Sequence, residues 1–514
     1  MKETEGKPRI CVPVCEQRTG DLPRAIERAA ELADVIELRL DYLVGAELDE
    51  AIRQLDGLTG SVTRPFIITL RPIEQGGMRE IDSLNRIVFW LDRLARDEER
   101  HLLYDIELDV ARVLMEKDGL DWNRIICSHH DFTGRDSNPE QLYQNMARTP
   151  ARIIKLAVRA DDATDCLAVF NLIERARSDG RELIAVAMGE AGVATRILGQ
   201  ARGSFLTYGA LDCEHATASG QQTAEELLEL YRLQSITQAT TVFGIMGSPV
   251  SHSLSPRIQN AALGASGHDA VYIPFEVRDA AGFLRRMIHP RSREIDWKLR
   301  GLSVTAPHKL SVMEQLDWIE PAAVEIGAVN TIVVEGESLR GYNTDAAGFL
   351  APLEKRCGSL SGKEAAVIGS GGAARSALWS LNRSGANAKL FARDAEKGAQ
   401  LAEKFGALFL ELEGASFGDF YVVVNATPLG TRGVSEDETP ASAAQLRGAR
   451  LAYDLVYNPR QTRFLTEAEE AGCQTLTGLE MLLAQAAEQF RLWTGEDAPL
   501  EVMRAAAEKA LERN

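Results

Sequence analysis

From Pro8 to Leu211 the sequence alternates short apolar runs with amphipathic stretches, and this alternation constrains the fold more than any other feature. Eight runs read as β-strands: RICVPV, DVIELRLD, PFIITLR, LLYDIELD, RIICSHHDF, RIIKLAV, LIAVAMG and FLTYGALD. Stretches between them, such as PRAIERAAELA, have apolar residues at helical spacing. Eight strand-helix repeats are typical of an α/β fold, the (β/α)8 TIM barrel, whose catalytic groups lie at the C-terminal ends of the strands. The alternative is an open doubly wound sheet.

The sequence changes character between Ser235 and Pro256. Directly before this stretch, a charged helical pattern, QQTAEELLELYRLQ, ends the first part of the chain. A new apolar strand over residues 241–246 then opens into a turn rich in Gly, Pro and Ser. Because 514 residues exceed what one hydrophobic core usually supports, we predict two or three domains with a boundary in this stretch.

Composition limits the partners of the chain. Its 75 acidic and 57 basic residues give a formal net charge of −18, which disfavours nucleic acid and anionic membranes as partners. The seven cysteines are scattered without CxxC pairs, so neither disulfides nor a zinc site are expected. The start MKETEGKPRI lacks a targeting pattern and no run is long enough to span a bilayer, so we expect a cytoplasmic protein.

Polar side chains follow the predicted barrel strands to the points where they end. In chain order they are Glu37 and Arg39 in the second strand, Arg71 after the third, His130 and Asp131 in the fifth, and Arg196 after the seventh. Lys155 lies inside the sixth strand. A lysine there is often a solvated side chain on an edge strand, but a closed barrel has no edge. Burial disfavours the ammonium form, so an inward lysine offers an amine that condenses with a ketone as a Schiff base.

Six motifs in this part occur in one order: ELRLD, TLRP with a following GG, HHDF, IIKLAV, MGEAGVATR and ATASGQ. They resemble the type I 3-dehydroquinate dehydratases over residues 8–222. The resemblance implies that Lys155 forms an imine with the C3 ketone of 3-dehydroquinate, that His130 removes the neighbouring proton, and that Arg196 holds the substrate carboxylate. The residues implied to contact ring hydroxyls, or to orient the lysine and histidine, are Glu37, Arg39, Arg71 and Gln221.

Two points in this part leave alternatives. His129 competes with His130 for the role of base, although the family motif has its catalytic histidine directly before Asp-Phe and adjacent strand residues face opposite ways. The family also has a glutamate directly before the Gly-Gly that assists this histidine, whereas this sequence has Gln75, with Glu74 one residue earlier. Either Glu74 substitutes through a shift of the loop or the amide serves. We expect an active but slower dehydratase.

The second part begins with a strand, a turn and a helix, FGIMGSPVSHSLSPRIQN, with Pro256 near the first helical turn. Ser253 and Ser255 have helix capping as their ordinary alternative role. Further on, Lys309, Asn330 and Asp345 occupy three successive predicted turns. Taken singly, each of these polar residues is unremarkable in a loop.

SGKEAAVIGSGGAARSALWSLNRSG then predicts a strand, a glycine-rich turn and a helix, the arrangement that holds a dinucleotide pyrophosphate. The small residues of this turn are Gly369, Gly371, Gly372 and Ala373. The motif departs from GxGxxG by ending in Ala374. At the end of the next predicted strand Arg393 precedes Asp394, and because an arginine there suits the 2′-phosphate, we predict NADP as the cofactor.

Eight motifs of the second part occur in one order: HSLSP, VTAPHK, GAVNT, GYNTDAAG, GSGGAAR, NATPLG, DLVYNPRQTRFL and GLEMLLAQA. They resemble the shikimate dehydrogenases from about Thr241 to the end. The resemblance implies that Lys309 and Asp345 form a catalytic pair, which relays the hydroxyl proton while hydride moves between nicotinamide and C3. The implied substrate ligands are Ser253, Ser255, Thr305, Asn330, Gln485 and Tyr457, and Thr427 is implied to lie beside the nicotinamide.

The roles of three residues in this part need a separate interpretation. Gln485 is alternatively a surface position of a helix. Ser303 stands where the family has Asn, and we expect it in a local turn away from the chemistry. Asp394 either caps the next helix or repels the 2′-phosphate of NADP.

Together the resemblances predict a (β/α)8 TIM barrel followed by a two-lobed shikimate dehydrogenase, with an α/β catalytic lobe and a Rossmann NADP-binding lobe. The predicted divisions are 1–236, 237–345, 346–475, and 476–514 for C-terminal helices that return to the catalytic lobe. The expected function is dehydration of 3-dehydroquinate and then NADPH-dependent reduction of 3-dehydroshikimate to shikimate. The alternatives are a weakened barrel that acts as a scaffold, or a dehydrogenase that uses quinate and NAD. Neither resemblance implies a metal.

Overall fold

The computed structural model describes residues 7–96, 102–134 and 138–513. The chain forms two compact units. The first runs to Thr241 and also takes in Ile273–Asp279, and the second comprises the remaining residues from Val242 onwards. Within the described ranges, the helices are all too short or too polar to cross a membrane.

The first unit contains one sheet of eight strands. They are β1 Ile10–Val14, β2 Val35–Arg39, β3 Phe66–Thr69, β4 Leu102–Glu107, β5 Ile125–Asp131, β6 Ile153–Arg159, β7 Glu182–Met188 and β8 Thr207–Tyr208. Their order is β7-β6-β5-β4-β3-β2-β1-β8. The Phe205 N–H donates to the Leu183 carbonyl at 2.8 Å, which joins the stretch before β8 to β7. Sequential parallel pairing with the ends brought together confirms the predicted barrel.

Helices follow most of these strands. They are α1 Leu22–Leu32, α2 Glu47–Arg53, α3 Leu55–Thr59, α4 Ser83–Arg96, α5 Leu108–Leu114, α6 Pro139–Ala147, α7 Cys166–Ser178 and α8 Val193–Leu198. Helix starts follow local signals: a proline lies in the first turn of α1 and of α6, and the Asn138 side chain caps α6.

The barrel interior is apolar at one end and polar at the other. Seven strands contribute a residue to one buried apolar layer: Cys11, Val35, Ile67, Leu103, Ile126, Ile153 and Ile184. Two positions further along five of these strands the residues are polar and still buried: Glu37, Thr69, Asp105, Ser128 and Lys155. Because side chains alternate along a strand, both layers point into the barrel. The apolar layer seals one end and leaves the chemistry at the C-terminal ends of the strands.

Six further strands form a mixed sheet, and all of their residues except Thr241 and residues 273–276 belong to the second unit. They are β9 Thr241–Gly247, β10 Ala270–Glu276, β11 Leu299–Val304, β12 Trp318–Ile319, β13 Thr331–Glu335 and β14 Ser338–Tyr342, and the associated helices are α9 Ser255–Ala265, α10 Ala280–Phe283, α11 Pro321–Ile326 and α12 Thr344–Cys357. The strand order is β10-β9-β11-β13-β14-β12, with β11, β13 and β14 antiparallel in turn.

A second six-stranded sheet of this unit is parallel throughout. It contains β15 Glu364–Ile368, β16 Asn387–Ala392, β17 Leu408–Glu411, β18 Val422–Asn425, β19 Leu451–Asp454 and β20 Gln474–Leu476, with helices α13 Gly372–Arg383, α14 Ala395–Lys404, α15 Ala443–Leu446 and α16 Arg463–Glu470. The order β17-β16-β15-β18-β19-β20 is that of a Rossmann sheet. Successive strands are added on one side of β15 as far as β17 and then on its other side from β18. Such folds bind their ligands at this switch point between β15 and β18.

The last two helices, α17 Gly478–Thr494 and α18 Leu500–Arg513, pack on the first sheet of the second unit. Phe490 and Met503 share a buried cluster with Ile258 of α9. Where α17 crosses α12, a Cβ on Gly348 would lie 2.7 Å from the Gln485 Cβ, so only glycine permits this close approach.

Candidate active sites

One pocket of the barrel brings together every barrel residue that the motifs indicated. They are Glu37, Arg39, Arg71, His130, Lys155, Arg196 and Gln221. The wall also includes Gln75, Phe132 and Tyr208. The pocket lies where the strands end, as the barrel fold requires.

Lys155 is a buried cation held by two carboxylates. Its Nζ lies 2.8 Å from Asp105 Oδ2 and 3.3 Å from Glu37 Oε1, and 4.2 Å from the centre of the Tyr208 ring. Glu37 also accepts a hydrogen bond from Thr69 Oγ1 at 2.8 Å. These contacts fix the amine at the base of the pocket.

Arg71 organises the charges beneath the lysine. It contacts Asp105 at 2.7 Å, Glu107 at 2.8 Å and Ser128 Oγ at 2.7 Å. Burial raises the pKa of Asp105, but the charges of Arg71 and Lys155 outweigh burial and hold that pKa well below its usual range. Asp105 and Glu107 were not predicted as site residues. Their acidic side chains two positions apart in LLYDIELD were the available signal, since such residues share one face of a strand.

His130 lines the pocket, and His129 does not. Burial lowers the pKa of His130 well below its usual value, and the positive charges of Arg71 and Lys155 lower it further. Its Nδ1 is buried with no hydrogen-bond partner among the described residues. The imidazole is therefore neutral near pH 7 and free to accept a proton.

Gln75 occupies the position where the family has a glutamate, and its Oε1 accepts a hydrogen bond from the His130 backbone N–H at 2.8 Å. Glu74 is exposed and outside the pocket lining. The alternative in which Glu74 substitutes through a loop shift is therefore wrong for this structure. The amide contacts the backbone of the histidine and leaves its ring nitrogen without a partner.

The three arginines of the pocket differ in their partners. Arg39 forms two hydrogen bonds to Asp41, at 2.9 and 2.8 Å, and Arg71 is paired as described. In the part of the chain that the structure describes, Arg196 has no carboxylate in an ion pair, and burial lowers its pKa to about 10. Arg196 is thus the guanidinium available to an anionic ligand. Gln221 accepts hydrogen bonds from Thr217 N and Oγ1, at 2.8 and 3.0 Å.

In the second unit, the structure joins Lys309, Asp345 and Asn330. Lys309 Nζ lies 2.5 Å from Asp345 Oδ2, and Asn330 Nδ2 donates to Asp345 Oδ1 at 2.8 Å. The backbone N–H of Thr344 donates to Asn330 Oδ1 at 2.7 Å, which fixes the amide orientation. Three turns distant in sequence therefore form one polar cluster.

The other predicted substrate residues surround the start of α9 and the end of β11. The Ser255 N–H donates to Ser253 Oγ at 3.2 Å. Ser253 Oγ thereby accepts the first backbone N–H of α9, as a capping hydroxyl does, whereas the cap residue Leu254 contributes no side-chain bond. Burial raises the pKa of Tyr457, and the nearby backbone of Leu254, between the two serines, offsets part of that rise. Thr305 packs on Gly247, where a Cβ would lie 2.3 Å from its Cγ2.

The structure decides between the interpretations of Gln485 and tests the turn predicted at Ser303. Gln485 is 9% exposed and lies against α12, so it is not a surface residue, although its amide nitrogen donates to the Leu482 carbonyl of its own helix. The prediction that Ser303 lies in a turn is wrong, because it is buried inside β11. Alternation along a strand turns its hydroxyl into the interior.

The glycine-rich turn has the shape of a dinucleotide cradle. Gly369 has φ +122°, and a Cβ there would lie 2.8 Å from the Ala426 carbonyl oxygen and 3.1 Å from Thr427 Cγ2. Helix α13 begins at Gly372 with no side-chain cap, so the amides around Gly371, Gly372 and Ala373 are available to a phosphate. Lys309 Cδ lies 3.5 Å from where a Gly372 Cβ would be. Lys309 is thus adjacent to the cradle.

The end of β16 presents an exposed Arg393. Asp394 is the N-cap of α14 and accepts from the Lys397 N–H at 3.0 Å. The first of its two readings therefore holds in this structure. Thr427 follows β18, which flanks β15 on the side away from β16, and its Oγ1 donates to Asn425 Oδ1 at 2.6 Å.

Comparison with known families finds matches in both parts of the chain. Residues 10–238 match the model for type I 3-dehydroquinase, residues 245–332 that for the shikimate dehydrogenase substrate binding domain, and residues 478–508 that for the shikimate 5′-dehydrogenase C-terminal domain. A shikimate dehydrogenase (NADP(+)) of Moorella thermoacetica is 39% identical over 52% of this chain and 92% of its own length.

A crystal structure of a shikimate dehydrogenase in complex with NADP⁺ is 34% identical, with a TM-score of 0.50, over 54% of this chain and 97% of that one. The chloroplastic bifunctional 3-dehydroquinate dehydratase/shikimate dehydrogenase of Arabidopsis thaliana is 33% identical over 96% of this chain and 83% of its own length. The chain therefore belongs to the family of bifunctional 3-dehydroquinate dehydratase/shikimate dehydrogenases.

Proposed function

We propose that the barrel dehydrates 3-dehydroquinate and that the second unit reduces the resulting 3-dehydroshikimate to shikimate with NADPH. The observation that carries the first step is a buried lysine beside a neutral histidine in one pocket. The observation that carries the second is the contact of Lys309 with Asp345, next to the glycine-rich turn. The product of the first reaction is the substrate of the second.

In the barrel, Lys155 passes its ammonium proton to the neutral His130, and the resulting amine attacks the C3 ketone of the substrate. His130 returns that proton to the carbinolamine hydroxyl, which leaves as water and gives an iminium on the lysine. The iminium withdraws electrons, so His130 takes the proton from C2 and the charge is delocalised. The C1 hydroxyl leaves as water with the proton that His130 returns. Hydrolysis of the imine then releases 3-dehydroshikimate and the free amine.

The arginines of the pocket have separate tasks in this scheme. Arg196 has no carboxylate partner among the described residues, so it holds the substrate carboxylate with its charged fork. Arg39 and Arg71 are already paired, so they orient Asp41 and Asp105. Glu37 and Gln221 are the remaining polar groups for the ring hydroxyls.

In the dehydrogenase, Lys309 donates the proton to the C3 oxygen of the substrate and Asp345 holds the ammonium in place. Ser253, Ser255 and Tyr457 surround the carboxylate side. Thr305, Asn330 and Gln485 supply the other substrate contacts.

The turn at Gly369 and the free amides at the start of α13 fit a dinucleotide pyrophosphate. Arg393 would hold the 2′-phosphate of NADP and Thr427 would lie beside the nicotinamide. NADPH supplies the hydride when it is bound. Michaelis constants for both cofactors test this choice: we expect a lower value for NADPH, and equal values would contradict it. The cytoplasm remains a prediction, since the Arabidopsis thaliana relative is a chloroplast protein.

Borohydride reduction tests the barrel chemistry. Protein mixed with 3-dehydroquinate and sodium borohydride should gain a substrate adduct on the peptide that contains Lys155. Protein treated with borohydride alone is the control. Failure to trap an adduct while ligand is bound would favour the alternative in which the barrel is a scaffold.

A further inference from the structure

A line of buried hydroxyl and amide groups connects two parts of the dehydrogenase site. Tyr272 in β10, Ser303 in β11 and Gln489 in α17 are 0%, 5% and 1% exposed. Tyr272 donates to Ser303 Oγ at 2.7 Å, and Ser303 donates to Gln489 Oε1 at 2.8 Å. None of these three residues was predicted as part of a site.

Each end of this line reaches a residue assigned to substrate or catalysis. At one end the Tyr272 hydroxyl lies close to Ser255: burial raises the pKa of Tyr272, and the Ser255 side chain offsets part of that rise. At the other, Gln489 Nε2 donates to Thr331 Oγ1 at 3.0 Å and to the Asn330 carbonyl at 3.3 Å. Thr331 Oγ1 in turn donates to Asn330 Oδ1 at 2.9 Å.

The hydrogen bonds run in one direction. Gln489 must direct its NH₂ to the Asn330 carbonyl, so its Oε1 faces Ser303 and can only accept. Ser303 donates its one hydroxyl hydrogen to that oxygen, so its own oxygen must accept from Tyr272. Tyr272 has then used its own hydrogen, so its oxygen can only accept from a further neighbour such as Ser255. The direction from Gln489 to Tyr272 is therefore set by a single amide.

We propose that Tyr272, Ser303 and Gln489 are positioning residues of the dehydrogenase, which hold Ser255 at one end of the substrate and Asn330 with Asp345 at the other in a fixed relation. The inference rests on the dehydrogenase function proposed above. It also gives Ser303 a role, since the smaller hydroxyl in place of the family's Asn fits between Tyr272 and Gln489. An unpaired group inside this line would be costly because all three side chains are buried.

The two ends have different kinetic consequences. Tyr272→Phe removes one hydroxyl next to Ser255, so it should mainly raise the KM for shikimate, by about three- to tenfold for one lost hydrogen bond. Gln489→Leu releases Asn330 beside the catalytic pair, so it should mainly lower kcat, by about tenfold or more. Ser303→Thr keeps the hydroxyl and should restore most of what Ser303→Ala loses.

Gln259 offers a matched control. It is 1% exposed, lies in α9, and its Nε2 donates to the Ala486 carbonyl of the same helix α17 at 3.0 Å, but the structure shows no bond from it to Asn330 or Ser255. Gln259→Leu thus removes a buried glutamine from the same packing region. If the line positions the site, kcat for shikimate should remain near wild type in Gln259→Leu.

The experiment measures shikimate oxidation with NADP⁺ in the full chain, with the KM for NADP⁺ as the check that the second unit is folded. We expect Gln489→Leu to lose kcat with an unchanged KM for NADP⁺, and Gln259→Leu to keep both. Equal losses in the two glutamine variants, or no loss in either, would overturn the inference. Wild-type protein that fails to oxidise shikimate would instead refute the dehydrogenase function on which the inference depends.

Discussion

The two active sites hold a lysine in opposite ways. In the barrel, the Lys155 side chain is 9% exposed and belongs to an ion network built on strands, with Arg71, Asp105 and Glu107 beneath it. In the dehydrogenase, the Lys309 side chain is 21% exposed and has one carboxylate partner, Asp345, with neutral hydrogen bonds around that partner.

This difference fits the role proposed for each lysine. A nucleophile that forms a covalent bond must meet the ketone at one fixed place, so buried charges on rigid strands suit it. A proton donor must approach a substrate that enters between lobes, so a residue on a loop with one orienting partner is sufficient. A network of buried charges therefore holds the lysine of the barrel site, whereas a single ion pair orients the lysine of the dehydrogenase site.

The largest expected effect separates the two sites completely. Lys155→Met should lower dehydratase kcat by about 10⁴-fold or more and leave shikimate oxidation unchanged, because it deletes the proposed covalent nucleophile. Lys309→Met is the mirror variant and should lower only shikimate oxidation. Steady-state assays of both reactions on each variant measure this, and loss of both activities in either variant would contradict independent sites.

Paired carboxylate variants test the electrostatic contrast. Asp105→Asn leaves Arg71 and Lys155 buried with fewer negative partners, so it should lower the free energy of unfolding of the barrel by about 3–5 kcal/mol. Asp345→Asn frees a lysine that water can reach, so its effect on stability should be below about 1 kcal/mol while shikimate oxidation falls. Urea unfolding of both variants gives the comparison, and equal destabilisation would remove the distinction.

Gln75→Glu should raise the dehydratase activity of the barrel by a smaller factor. The carboxylate would keep the acceptor for the His130 N–H and add a negative charge near the imidazole, which stabilises the protonated histidine that forms during the reaction. We expect dehydratase turnover to rise about two- to tenfold. Gln75→Ala is the control that removes the acceptor, and an unchanged or lower rate in Gln75→Glu would refute this role.

The smallest expected effect is a pH dependence that is nearly absent. Because the pKa of His130 lies well below 6.5, the imidazole stays in its basic form as pH falls from 8 to 6.5, and protonation removes activity only at lower pH. The dehydratase kcat/KM should therefore change less than about twofold over that range on account of this group. A loss centred near pH 6.5 would show that His130 titrates as an exposed histidine does.

Much of this contrast could be predicted from the sequence, since strand periodicity gave all eight barrel strands and motif order gave the residues that line the pocket. The roles of those residues remain predictions. Asp105 and Glu107 were missed because acidic residues inside a strand look alike whether they face the barrel or its helices. Ser303 and Gln489 were missed because their pairing joins a strand to a helix 186 residues away, which no local pattern encodes.

The most direct test of the central claim mixes purified protein with 3-dehydroquinate and NADPH, with no other enzyme present, and follows nicotinamide absorbance. We predict that wild-type protein consumes NADPH with 3-dehydroquinate and with 3-dehydroshikimate, and that Lys155→Met does so only with 3-dehydroshikimate. Wild-type consumption with 3-dehydroshikimate alone would contradict an active barrel. Consumption with 3-dehydroquinate that persists in Lys155→Met would show direct reduction to quinate and contradict the proposed order of the two reactions.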